Sequence, residues 1–112
     1  MDLQILSFQK LNTILAELRG QLEELYGNRL VHLVLYGSQA RGDALPGSDV
    51  DVLVVLAGPV EPAAEIERVS PITAALSLEH DIVISCVYVS EARYIQENSP
   101  LLLNIRREGI AV

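Results

Sequence analysis

The chain is poor in the residues that staple small domains together or grip polyanions. Its 112 residues include one cysteine, Cys86, and no tryptophan. A single thiol allows no intramolecular disulfide and no cysteine-based zinc knuckle, a usage that fits a reducing compartment. Lysine and arginine number 8 against 15 acidic residues, for a net charge of −7 at pH 7. Long nucleic-acid strands and anionic membrane surfaces both demand clustered basic side chains, so neither is expected as a partner. The four tyrosines are scattered and form no stacking platform for single strands. No apolar run approaches the roughly 18 residues of a membrane-spanning helix. The opening Met1-Asp2-Leu3 has no basic leader segment. A cytoplasmic protein is the expectation.

What is present is apolar. Half of the residues are hydrophobic, which excludes a disordered tail. A chain of this length buries about 65% of its unfolded surface, enough for one domain over residues 1–112. Leu11, Ile14, Leu15, Leu18, Leu22 and Leu25 recur at helical spacing and predict an amphipathic helix over about residues 3–25. Leu30 to Tyr36 reads as a strand covered on both faces, and Asp49 to Leu56 as a second. A helix follows over Pro62 to Leu78, with Pro71 either kinking it or restarting it behind a Ser70 cap. A third strand is expected from Asp81 to Val89. Ser90 opens a short helix, and Ser99-Pro100 opens a last one that Gly109 closes. Alternating helices and few strands define an α/β (α+β) domain, a small mixed sheet flanked by helices.

The chemistry is concentrated between Tyr36 and Asp51. Residues i and i+2 of a strand share a face, so Asp49 and Asp51 stand side by side. Two carboxylates this close at the mouth of an apolar strand repel until a cation or proton neutralises them. Hard divalent ions with oxygen ligands suit the pair, Mg²⁺ above all. Asp81 adds a third carboxylate if its strand pairs beside the second. On the other side, Gly37 permits close backbone approach and the amides of Ser38 and Gln39 face outward. The Ser38 hydroxyl can donate to a phosphate oxygen, while Arg41 can reach a phosphate or brace the loop acids. Paired carboxylates facing a phosphate-cradling turn describe phosphoryl or nucleotidyl transfer through a two-metal arrangement.

Each part alone has a plainer explanation. A Gly-Ser turn is commonly structural, an Asp-x-Asp at a strand start caps or solvates, and Arg41 alone is a surface ion-pair partner. Asp81 alone is a charge that blunts a strand edge. The combination carries the argument. His32 lies among apolar strand residues with no second ligand, His80 could tune Asp81 but reads first as a strand-edge surface residue, and Cys86 is a small buried hydrophobe. Arg106-Arg107 suits a helix end. Leu101-Leu102-Leu103 holds more apolar surface than one helix face needs, which core packing accounts for first and a protein interface second.

Gly37-Ser38-x-Ala40-Arg41-Gly42, a short loop, then Ser48-Asp49-x-Asp51 and an apolar run resembles the signature of the DNA polymerase β-like nucleotidyltransferase superfamily. The small size is similar to its minimal nucleotidyltransferase branch, the antitoxin partners of HEPN-domain toxins. The resemblance is strongest over residues 33–56 and weaker toward the C-terminus. It implies a polymerase β palm-like fold, with Gly37 and Ser38 holding the triphosphate of ATP and Asp49 and Asp51 binding two Mg²⁺. Asp81 would be the third carboxylate and the general base on an acceptor hydroxyl.

Larger relatives carry a second domain that holds the acceptor, and nothing in these residues supplies one. The acceptor then comes from a second copy or from a partner chain, as in minimal nucleotidyltransferases that AMPylate a tyrosine of their toxin. The leading expectation is a Mg²⁺-dependent transfer of AMP onto a HEPN toxin, in a homo-oligomer or a hetero-oligomer with that toxin. The competing expectation is an antitoxin that neutralises its partner by stoichiometric binding. A homodimeric small-molecule nucleotidyltransferase is the third.

Overall fold

The structure, a computed structural model, describes residues 6–112. Helix α1 spans Phe8–Tyr26 and starts where the Ser7 side chain accepts the Lys10 amide. The expected start near residue 3 lies outside the described residues. Leu11, Ile14, Leu15, Leu18 and Leu22 are buried as their spacing requires, but Leu25 is 39% exposed and Tyr26 takes its place in the core. A 3-10 turn over Gly27–Arg29 leads into strand β1, Leu30–Tyr36. The one-turn helix α2, Ser38–Arg41, and a loop join it to β2, Val50–Leu56. Helix α3, Pro62–His80, crosses to β3, Ile84–Ser90. Helices α4, Glu91–Gln96, and α5, Pro100–Glu108, are each capped by a serine, Ser90 and Ser99, as expected. A two-residue strand β4, Ile110–Ala111, follows.

These strands form one mixed sheet in the order β3-β2-β1-β4, with helices on both faces. The short connection through α2 makes β2 antiparallel to β1, and the long crossover through α3 makes β3 parallel to β2. Helices α1 and α3 pack on one face against Leu33, Leu35, Val52 and Val54. Leu102 and Ile105 of α5 cover the other, against Val34, Leu53 and Val55. Residues 52–56 are therefore wholly buried, which is why β2 reads as an unbroken apolar run. Shortening a fully buried leucine such as Leu53 to alanine costs about 2–5 kcal/mol.

Two expectations are corrected here. Of the two outcomes expected at Pro71 the restart is excluded, because Ser70 Oγ donates back to the Ile66 carbonyl rather than capping a new helix, and α3 continues to His80. On α3, Val69 and Leu76 are buried while Ile66 is 54% exposed. The third strand begins at Ile84 and not at Asp81, because Asp81 caps α3 in a left-handed conformation (φ 52°) that no strand residue adopts. Strand β4, two residues long, was too short to announce itself; it pairs with Val34 and Leu35. Among the described residues no helix is long and apolar enough to cross a membrane.

Candidate active site

The site forms where β1 ends and β2 begins. After Tyr36 the chain turns at Gly37, whose φ of 73° is open to glycine and strained for other residues. The Gly37 carbonyl accepts the amides of Ala40 and Arg41, which winds α2 into its single turn. A β-carbon placed on Gly37 would stand 2.6 Å from Asp51 Oδ2. The missing side chain thus makes room for a carboxylate of this same chain.

Asp51 is half-buried and Asp49, one residue before β2, is exposed. Burial, followed by the nearby charge of Asp49, raises the Asp51 pKa above its ordinary value, and Arg41 offsets only part of this. The pair therefore carries unbalanced negative charge, and among the described residues no cation forms a salt bridge to either carboxylate. That donor set, hard oxygens with uncompensated charge beside a backbone that stands aside for them, fits a divalent cation.

Asp81 does not join the pair. The parallel register sets Ser85 opposite Asp51 and Ile84 opposite Val50, so Asp81 precedes the matching position on β3 and is exposed. Among the described residues no three-ligand group includes Asp49, Asp51 and Asp81. Among the described residues three such ligands come together at Glu17, Glu79 and His80, where His80 Nε2 lies 2.9 Å from Glu17 Oε2. His80 thus ties α3 to α1 and is not the strand-edge residue expected.

Arg41 braces the loop. Its Nε donates to Asp43 Oδ2 at 3.1 Å and Nη1 lies 3.7 Å from Glu108 Oε2 on α5. Of the two uses open to it from sequence, this structure contains the second. Ser38, at the start of α2, lies beside Gly37 with its hydroxyl free of any protein partner among the described hydrogen bonds.

Tyr36, Ser85 and the side chain of Gln39 escaped the sequence reading. Tyr36 is the cross-strand partner of Asp51 on β1, and burial first, then Asp51, keeps its phenol protonated. Ser85 completes the same row on β3. Gln39, at the x position of the Gly-Ser-x-Ala-Arg-Gly motif, donates to the Ser48 carbonyl at 3.3 Å. Only cross-strand register and loop closure bring these residues to the site, and neither has a local signal.

The family model described as "Nucleotidyltransferase domain" matches residues 15–102. The chain belongs to that family. It is 34% identical over 96 residues to MJ1305 of Methanocaldococcus jannaschii, described as a candidate protein adenylyltransferase. That match takes in 86% of this chain and 56% of the relative, so the chain spans little more than half of that protein's length. Among solved structures, a candidate nucleotidyltransferase from Sulfolobus solfataricus superposes with a TM-score of 0.56 at 18% identity, over 90% of this chain and 83% of the other. A toxin–antitoxin complex containing AMP-PNP superposes at 0.61 and 20% identity, over 84% and 68%. At these identities the two structures establish the shared fold.

Proposed function

We propose that this chain is a Mg²⁺-dependent nucleotidyltransferase domain that passes AMP from ATP to a hydroxyl of a partner protein, and that it serves as the antitoxin of a HEPN toxin. The observation that carries the reading is the unbalanced Asp49–Asp51 pair, held against a turn whose glycine stands aside for Asp51. Family membership, the adenylyltransferase description of MJ1305 and the toxin–antitoxin neighbour support it.

Asp49 and Asp51 would hold Mg²⁺, which when bound neutralises charge on the triphosphate. Gly37 and Ser38 would bind phosphate oxygens through backbone amide and hydroxyl. Arg41 braces the motif loop through Asp43 and Glu108, and its remaining guanidinium N–H groups would donate to phosphate. In the transfer the acceptor oxygen bonds to the α-phosphorus, the bond from that phosphorus to pyrophosphate breaks, pyrophosphate departs, and the hydroxyl proton passes to solvent water. Asp81, which caps α3 ahead of β3, is given no part in this reading.

The test is the intact mass of the protein encoded beside this chain, after incubation with the chain, ATP and Mg²⁺. An Asp49→Asn, Asp51→Asn double variant runs in parallel. Added AMP units that vanish with the variant are the expected result. A stable complex without added mass in either sample would replace the reading with an antitoxin that acts by binding alone.

A further inference from the structure

We infer that Gln39 is a positioning residue that couples the Gly37-Ser38 turn to the Asp49 carboxylate, and so sets the divalent-cation requirement of the site. The inference rests on the reading of Asp49 and Asp51 as cation ligands. Asp49 lies outside β2, so no ladder hydrogen bond orients its backbone directly. It is pinned instead from both sides. After it, the Val50 amide donates to the Val83 carbonyl at 2.9 Å, just before β3. Before it, the Ser48 carbonyl accepts Gln39 Nε2 from α2 at 3.3 Å.

Ser48 is the hub of the loop. Its amide donates to the Leu45 carbonyl at 3.0 Å, and its hydroxyl accepts the Leu45 amide at 2.9 Å. Those two bonds close the Leu45–Ser48 turn upon itself, around Pro46 and Gly47, without attaching it to the rest of the molecule. Among the described hydrogen bonds, the Gln39 amide is what ties this turn back to α2. The peptide plane between Ser48 and Asp49 fixes where the Asp49 side chain departs, so the Gln39 donor bears on that carboxylate without touching it. Asp51 needs no such help. It sits within β2 and against Gly37.

The chemistry of position 39 follows. The Ser48 carbonyl requires a donor, and the site next to it is already negative. Leucine fills similar volume with no donor, glutamate offers an acceptor and a further negative charge, and lysine restores a donor of comparable reach.

The experiment measures binding of ATP as a function of Mg²⁺ concentration for the whole chain, alongside backbone hydrogen exchange over residues 43–50 in the absence of Mg²⁺. Gln39→Leu is expected to exchange faster over that segment and to raise the half-saturating Mg²⁺ concentration about three- to tenfold, the effect of one lost part-buried hydrogen bond. Gln39→Lys should restore both, and Gln39→Glu should be worse than leucine. Wild-type exchange and Mg²⁺ dependence in Gln39→Leu, or equal impairment in the lysine and leucine variants, would overturn the inference. A wild-type chain that binds no ATP with Mg²⁺ would instead remove the reading of the site. The exchange data would still report whether Gln39 holds the loop.

Discussion

Asp51 Oδ2 occupies the space that a side chain at position 37 would fill, 2.6 Å from where a β-carbon would stand. The glycine of the motif and the second carboxylate of the pair are therefore one packing unit. They come from the end of one strand and the start of its antiparallel neighbour.

Gly37→Ala is expected to damage site and fold together. The added carbon collides with Asp51, and the left-handed φ of 73° strains any L side chain. The combined cost is about 1–3 kcal/mol or more. Thermal unfolding and ATP binding with Mg²⁺ should both fall, whereas a Gly20→Ala control, in open space within α1, should keep both.

Asp51→Asn should trade function for stability. The folded-state pKa of Asp51 is raised above its ordinary 3.8, chiefly by burial and then by Asp49. The protonated group is thus favoured by the fold, and that stability is present below pH 3.8 and lost as pH rises through the folded pKa. At neutral pH the uncharged variant should melt higher than the native chain, with the advantage disappearing below pH 3.8. Mg²⁺ should raise the melting temperature of the native chain and leave the variant where it is.

Asp81→Asn should leave transfer activity and Mg²⁺ dependence unchanged, since Asp81 caps α3 and Ser85 faces Asp51. Asparagine tolerates a left-handed φ well, so stability should hold; Asp81→Ala should cost about 1 kcal/mol. Loss of transfer in a folded Asp81→Asn protein would return that carboxylate to the site.

Tyr26→Phe tests the buried charge. Glu65 is 3% exposed, and it accepts the Tyr26 hydroxyl at 3.0 Å and the Arg68 guanidinium. Removing the hydroxyl should cost about 1–3 kcal/mol in urea unfolding. Burial, then the bond to Glu65, pushes the Tyr26 pKa up from 10.0 to about 12. The raised value means stability that is intact below pH 10 and lost as pH climbs through 12, a loss the phenylalanine variant should show less steeply.

Much of this was legible in the chain. The spacing of Leu11 through Leu22, the apolar runs of β1 and β2 and the serine caps of α4 and α5 are local signals, and each appears in the fold. Gly37-Ser38 and Asp49-x-Asp51 stand out equally in the sequence, and the fold sets the turn against Asp51. What failed was judged from sequence neighbours alone. Asp81 looked like a strand start since apolar residues follow it, yet a left-handed helix cap does not declare itself in composition. His80 seemed a surface residue because its partner, Glu17, lies on another helix.

The residues by themselves determined which segments are helix or strand and where the carboxylates and the turn would gather, since periodicity, capping and motif spacing act over a few positions. Tertiary structure alone decided that Asp51 rests against Gly37, that Ser85 and not Asp81 faces it, and that Gln39 holds the approach to Asp49. Those facts depend on strand register and on which loop atoms meet after the sheet has closed. A shift of one residue along a strand reverses every side chain, so no local pattern encodes them.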